Sequence, residues 1–275
     1  MPTSTYSHIP AVVNYLAHTR PDSILDVGLG NGKMGFIARD FLDVMLGERF
    51  KKEDWKIKID GLEVFPEYVQ AHQRALYDEI FIGDAFDTID NVGVYDMIIV
   101  GDVLEHFEKE KAWRFLDKCG AHSSKWIMLN IPLGEKWTQG AIYGNPHEEH
   151  LSFWRFEDFA PFTADHAVFS FPNIGEYGAL LIRKDDYVHF RIREAATELA
   201  SAGRTDEAVN RLAVGSKGLS PNLATEYMIF DLYMKGNKVL EAVKKLREIL
   251  SAFPQEASAV KTHMEKIAPL LNKPT

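Results

Sequence analysis

One cysteine in 275 residues, Cys119, has no partner for an internal disulfide, and a thiolate zinc site needs several such residues. Its expected place is that of a small buried hydrophobe. No uninterrupted apolar segment approaches the ~18 to 20 residues of a membrane helix. The first twenty residues also lack a charged-then-apolar leader, so the expected location is cytoplasmic, with no membrane partner. Basic clusters are missing too. Net charge is −9, and residues 185–275 are nearly balanced at 13 Lys and Arg against 12 Asp and Glu, so the acid excess belongs to residues 1–184. Nucleic-acid binders displace counterions with a basic face. This chain has none, and no nucleic-acid partner is expected. An acid excess suits a site that receives a cation.

At 46% hydrophobic residues, the chain can bury one large core, or a medium core and a small second domain. From Ser23 to about Arg183, apolar runs alternate with amphipathic segments, the pattern of a wound α/β sheet. Strands are predicted at Ser23–Val27, Ile57–Leu62, Ile80–Ile82, Tyr95–Val100 and Lys125–Ile131, nearly continuous in apolar character as strands covered on both faces are. A helix is predicted at Lys33–Leu46. "HAVFSFPNIGEYGALLIR" reads as a hairpin, which a sheet parallel throughout cannot contain. After Asp185 the pattern is helical. Gly203 and Gly236, Ala208 and Ala242, and Pro221 and Pro254 recur 33 or 34 residues apart, the period of a helix-hairpin repeat. Val239, Ala242, Val243, Leu246, Ile249 and Leu250 form its apolar stripe, and a last helix is predicted at about Gln255–Leu271. The boundaries are 1–184 for the α/β domain and 185–275 for the helical tail.

The stretch "ILDVGLGNGKMG", Ile24 to Gly35, places four glycines just after the first strand. Glycine accepts positive φ, and its missing Cβ lets a ligand approach the backbone in the crevice where wound sheets bind ligands. Two ligand classes compete. A dinucleotide fingerprint G-x-G-x-x-G occurs as Gly30–Gly35, two residues late. Directly after the strand stands D-V-G-L-G-N-G, Asp26 to Gly32. Later strands end on acids as well: "KIDGLEVFPEY" on Glu63, "FIGDAF" on Asp84, and "YDMIIVGDVLEHF" on Asp102.

These motifs resemble class I S-adenosylmethionine-dependent methyltransferases over about residues 20–183. The resemblance implies a Rossmann-like, seven-stranded, mostly parallel sheet ending in an antiparallel hairpin strand, with S-adenosylmethionine as cofactor. It implies that Asp26, Gly28, Gly30 and Gly32 cradle the amino-acid end and that Glu63 meets the ribose hydroxyls. Asp84 would reach the adenine amino group, with Ala85 and Phe86 beside the ring. Asp102 and Val103 would lie along the methionine part. No N-P-P-Y motif of the kind carried by members that methylate amino groups of nucleic acids follows the fourth strand, so the expected acceptor is a small or sugar-like molecule, methylated on oxygen.

His106 is a candidate base, its pKa being suited to neutral pH. His150 is a second, because "HLSFW…EDF" resembles a segment of the same family in which a histidine approaches the active site. The long connection from Gly134 to about Leu151 also offers Trp137, Tyr143 and His147 to a substrate, as a lid does. H-E-E-H, with histidines at i and i+3, is not the i, i+4 zinc motif. No metal is expected, the alternative being an ion held there with Asp102. The tail resembles tetratricopeptide repeats at Tyr233, Ala242, Leu246 and Pro254, and is expected to pack within the chain or form a homodimer. The competing readings are a nicotinamide-dependent oxidoreductase and a non-catalytic platform for the tail.

Overall fold

The apolar runs build a seven-stranded sheet in the computed structural model, which describes residues 4–271. The strands are β1 (Ser23–Val27), β2 (Lys58–Glu63), β3 (Glu79–Ile82), β4 (Tyr95–Gly101), β5 (Ser123–Leu133), β6 (Thr163–Phe171) and β7 (Gly175–Arg183). Their order is β3-β2-β1-β4-β5-β7-β6. β1 to β5 pair in parallel, and β7 enters antiparallel between β5 and β6. The chain therefore lays β2 and β3 on one side of β1 and returns with β4 on the other. The crevice of a wound sheet opens at that reversal, beyond the strand C-termini.

Two compact units divide the chain, Met1–Lys184 and Asp185–Thr275. The first holds the sheet with α1 (Ile9–Thr19), α2 (Lys33–Ala38), α3 (Ala71–Leu76), α4 (Ala85–Thr88), α5 (Lys109–His122) and α6 (Phe156–Phe159). Val12, Tyr15 and Leu16 of α1 and Met34 and Ile37 of α2 pack with Ile24, Met97, Ile99 and Met128 of the sheet. Each fully buried aliphatic chain there contributes about 1.5–3 kcal/mol. The Tyr15 hydroxyl donates to the Ala179 carbonyl at 3.0 Å, which fastens α1 to β7. α5 buries Ala112, Phe115, Leu116 and Cys119 at three- and four-residue spacing against β4 and β5.

The predicted Lys33–Leu46 helix is α-helical only to Ala38 and continues as a π-helical stretch, Arg39–Met45. A buried ionic knot accompanies the change. Arg39 Cζ stands 4.8 Å from the Trp55 ring centroid, and the guanidinium bonds the Ile57 carbonyl, Asp43 at 2.7 Å and Asp78 at 2.7 Å, while Arg49 reaches Asp43 at 2.7 Å. Burial alone would raise the Asp43 carboxyl, but the Lys56 N–H and the two guanidinium groups hold it below its ordinary range. The knot sits where β2 and β3 begin, away from the crevice.

The second unit contains α7 (Lys184–Ser201), α8 (Thr205–Gly215), α9 (Leu223–Lys235), α10 (Val239–Ala252) and α11 (Ala257–Leu271). α8 packs on α9, α9 on α10 and α10 on α11. Ala242, Val243, Leu246 and Ile249 are buried as the stripe predicted, but Leu250 is 39% exposed: the face one residue beyond Ile249 turns to solvent. The left-handed residue ending the first helix pair's opening helix is Gly203, and its counterpart is Asn237 rather than Gly236. That spacing, 34 residues, equals the one from Ala208 to Ala242. No helix among the described residues is long and apolar enough to cross a membrane.

Candidate functional site

A cavity of about 340 Å³ opens at the C-terminal ends of β1, β2 and β4. Its floor is the glycine turn, and the four glycines prove to have different tasks. Gly28 has φ +70°, and a Cβ there would stand 2.5 Å from Val103 Cγ2. Gly30 has φ +47°; its N–H donates to Glu63 at 3.0 Å and its carbonyl accepts from Gln73 at 2.7 Å. Both line the cavity. Gly32, φ +76°, is the left-handed cap of α2 and does not reach the cavity wall. Gly35 makes room for the Tyr77 ring, which a Cβ would meet at 2.3 Å. The late G-x-G-x-x-G match thus owes its final glycine to packing.

Asp26 is buried below this turn. It accepts the Tyr77 hydroxyl at 2.5 Å, and that hydroxyl in turn accepts the Gly35 N–H at 3.2 Å. Burial pushes the Asp26 carboxyl up to about 7 in spite of these bonds. Glu63, at the end of β2, is also raised by burial. One of its oxygens takes the Gly30 N–H and the other the Phe65 N–H at 2.9 Å, and the Val64 N–H also favours its charged form. Asp84 caps α4 by accepting the Phe86 N–H at 2.8 Å and pairs with Lys111 at 3.2 Å. Ala85 lines the cavity beside it. Phe86 does not line it: its ring is covered by Lys111, Arg114 and Lys118, with Lys118 Nζ 4.0 Å from the centroid.

At the end of β4, Asp102 adopts φ +52°, an uncommon conformation for a non-glycine residue. Tyr177 donates to it at 2.9 Å, and burial raises it to about 6. Val103 packs on Gly28. Glu105 is 2% exposed, its Oε2 has no hydrogen-bond partner, and burial holds it well above the ordinary carboxyl range. Its carbonyl accepts from Leu151 at 2.7 Å and Ser152 at 3.1 Å, which pins the end of the long connection to the β4 turn.

The histidines come together differently from their sequence spacing. His106 and His150 lie edge to face with centroids 5.0 Å apart, while His147 is exposed on the rim. His106 Nδ1 is 3.0 Å from the Glu149 carbonyl and His150 Nδ1 is 2.7 Å from the Trp137 carbonyl. A carbonyl only accepts, so each ring carries its proton on Nδ1 and its lone pair on Nε2. Burial lowers His106 to about 4, so it is neutral at physiological pH. Trp137 packs its ring on Phe171 and Tyr177 and contributes to the wall, and Tyr143 stands 63% exposed at the mouth.

Sequence reasoning passed over Tyr77, Tyr177 and Glu148. Glu148 is buried and accepts the Tyr68 hydroxyl at 3.0 Å, so the long connection is tied to the wall after β2. Its signal was present in H-E-E-H, whose acids received no role. Among the described residues, the cavity lining includes six carboxylates, Asp26, Glu63, Asp84, Asp102, Glu105 and Glu148, against one Lys33, whose ammonium is bonded to Ser4 at 2.6 Å. Burial keeps part of this set, Glu105 and Asp26 above all, in the neutral form, yet the carboxyls outnumber the single ammonium, a balance that favours a cation over a pyrophosphate.

A glycine turn, acids at successive strand ends and a crevice beyond the strand C-termini define the candidate ligand site of this wound α/β sheet. No protein-family model matches this sequence, and no curated protein matches it. Among solved structures, the chain is similar to an O-methyltransferase family protein from Burkholderia thailandensis at 12% identity and a TM-score of 0.43, over 64% of this chain and 54% of that one. It spans about half that protein's length. It is also similar to magnesium protoporphyrin IX methyltransferase from Synechocystis PCC 6803 (14% identity, TM-score 0.44, 66% of this chain and 90% of that one). A further likeness is to 1,6-didemethyltoxoflavin-N1-methyltransferase from Burkholderia thailandensis (14%, 0.46, 64% and 78%). The cavity's chemistry follows from its own residues rather than from these likenesses.

Proposed function

We propose that the chain transfers a methyl group from S-adenosylmethionine to a hydroxyl of a small or sugar-like acceptor. The observation that carries this reading is the carboxylate-lined cavity above a glycine floor. S-adenosylmethionine is cationic at sulfur and zwitterionic at its amino-acid end, and it supplies a methyl group already activated for displacement. The residues fit it. Gly28 leaves the backbone bare where a Cβ would meet Val103, Gly30 lines the floor at positive φ, Glu63 lines the wall where the ribose would lie, and Asp84 stands at the end of β3 for an exocyclic amine. Asp26 and Asp102 set the negative field around the cationic part.

The chain's other task is alignment. The acceptor end of the cavity is walled by Trp137, Tyr143 and the His106–His150 pair, which exclude water and hold the hydroxyl in line with the methyl group. The hydroxyl proton leaves past that pair, of which His106 is held neutral by burial. A nicotinamide dinucleotide would bring its pyrophosphate among six carboxylates, and Gly35 of its fingerprint is occupied by Tyr77.

Calorimetric titration with S-adenosylhomocysteine tests the reading. The expected result is one site on the intact protein, lost in Gly28→Val and weakened in Asp84→Ala, with no binding of reduced nicotinamide dinucleotide. No binding to the intact chain, or equal binding by both variants, would refute it.

A further inference from the structure

We propose that Glu105, His106 and His150 form a binding site for one divalent transition-metal ion at the acceptor end of the cavity. One ligating atom from each of the three lies within 4.8 Å of the other two. Ligands about 2.1 Å from a shared ion stand on the order of 3 Å apart, so small side-chain adjustments close the set. Two independent features show that these groups are prepared for a ligand. Glu105 is 98% removed from solvent, yet its Oε2 has no hydrogen-bond donor, a state that costs a buried carboxyl dearly unless something binds it. Both histidines direct Nδ1–H to backbone carbonyls, of Glu149 and of Trp137, the outer-shell arrangement that fixes a metal-binding imidazole with its lone pair on Nε2.

The donor set gives the class of ion. Two imidazoles and one carboxylate suit Mn²⁺, Fe²⁺, Co²⁺ or Zn²⁺, whereas Mg²⁺ and Ca²⁺ favour oxygen alone. Asp102 and Glu148 add negative charge nearby. The H-E-E-H spacing had suggested His147 and His150 with Asp102 as the metal alternative; the fold instead joins His150 to a residue 44 positions earlier.

Three protein ligands leave coordination positions open, as in catalytic metal sites. This role rests on the methyl-transfer reading and deepens it: the histidine pair acts on the acceptor through the ion they share. Such an ion, when bound, would ease the loss of the acceptor hydroxyl's proton to solvent. The hydroxyl oxygen then bonds the methyl carbon as the carbon–sulfur bond breaks, the electron pair staying on sulfur, which becomes a neutral thioether.

The test uses the full chain stripped with a chelator and titrated with Mn²⁺, free ion being read by its paramagnetic resonance signal, with S-adenosylhomocysteine calorimetry run in parallel. The expected result is one Mn²⁺ per chain, weakened at least about tenfold in Glu105→Gln and in His150→Ala. Both variants should keep S-adenosylhomocysteine affinity within a few fold, which shows that they fold. Gly28→Val should lose S-adenosylhomocysteine and keep Mn²⁺. No Mn²⁺ bound by the wild type, or equal binding by both ligand variants, overturns the site. S-adenosylhomocysteine failing while Mn²⁺ binds as described would sink the methyl-transfer reading and leave the site standing.

Discussion

Replacing Gly28 by alanine tests the floor of the cavity at its tightest point. The new Cβ incurs two separate costs. A left-handed φ of +70° is unfavourable for an L-residue by roughly 1–2 kcal/mol. Contact with Val103 Cγ2 at 2.5 Å is overpacking of a kind that typically costs about 1–3 kcal/mol. Gly28→Ala should therefore lose roughly 2–5 kcal/mol. Trimming the partner separates the two parts, because Gly28→Ala with Val103→Ala removes the collision and leaves the backbone cost. The double-mutant cycle should show a favourable coupling of about 1–3 kcal/mol. Urea unfolding followed by tryptophan fluorescence is the assay, since all five tryptophans lie within residues 1–184 and report that unit alone. A variant as stable as wild type, or additive effects in the cycle, would refute the close approach.

Glu63→Gln removes the charge that accepts the Gly30 N–H and faces the proposed ribose. S-adenosylhomocysteine affinity should fall by roughly 1.5–3 kcal/mol in calorimetry, the worth of hydrogen bonds to a charged group. Asp43→Ala leaves Arg39 and its neighbour Arg49 without their buried anion and should cost about 3–5 kcal/mol in urea unfolding, with cofactor affinity unchanged in the folded protein. Asp26 gives a stability profile in pH. The folded protein keeps this proton to about pH 7 while the unfolded chain releases it near 3.8, so the folded state binds more protons between those values and stability falls as pH rises through the window. The loss is at most roughly 4 kcal/mol, and Asp26→Asn should abolish it; an identical slope in that variant would contradict the assignment.

The sheet was legible because its signals are local. Nearly continuous apolar runs such as Ile24–Val27 and Met97–Val100 are strands buried on both faces, and the Pro172-Asn173-Ile174 turn before Gly175 reverses the chain between β6 and β7. Acids at strand ends were legible for the same reason, since each follows its run directly. Tyr77, Tyr177 and Glu148 left no comparable mark: they act on Asp26, Asp102 and Tyr68, residues 51, 75 and 80 positions away, and only folding makes those pairs. The π-helical turn at Arg39–Met45 likewise has Asp78 and Ile57 as partners, which helical periodicity does not record. Gly32 was assigned to the ligand along with Gly28 and Gly30 because spacing cannot distinguish a glycine facing a cavity from one capping a helix.

The acids that lead to a cation as ligand also predict a signature of its arrival. Empty, the cavity holds carboxyls that burial has pushed upward, Asp26 to about 7 and Glu63 in the same direction. At pH 7 Asp26 is therefore close to half protonated. A bound cation favours the charged carboxylate and lowers these values, so binding at pH 7 must release protons, up to about half a proton from Asp26 alone. Calorimetry of S-adenosylhomocysteine, whose amino-acid end carries an ammonium, should then give enthalpies that differ between phosphate and Tris in proportion to their ionisation enthalpies. The buffer dependence should shrink in Asp26→Asn. Equal enthalpies in the two buffers at pH 7 would mean that no raised carboxyl meets the ligand's charge, and the acidic floor would have to serve the fold rather than the cofactor.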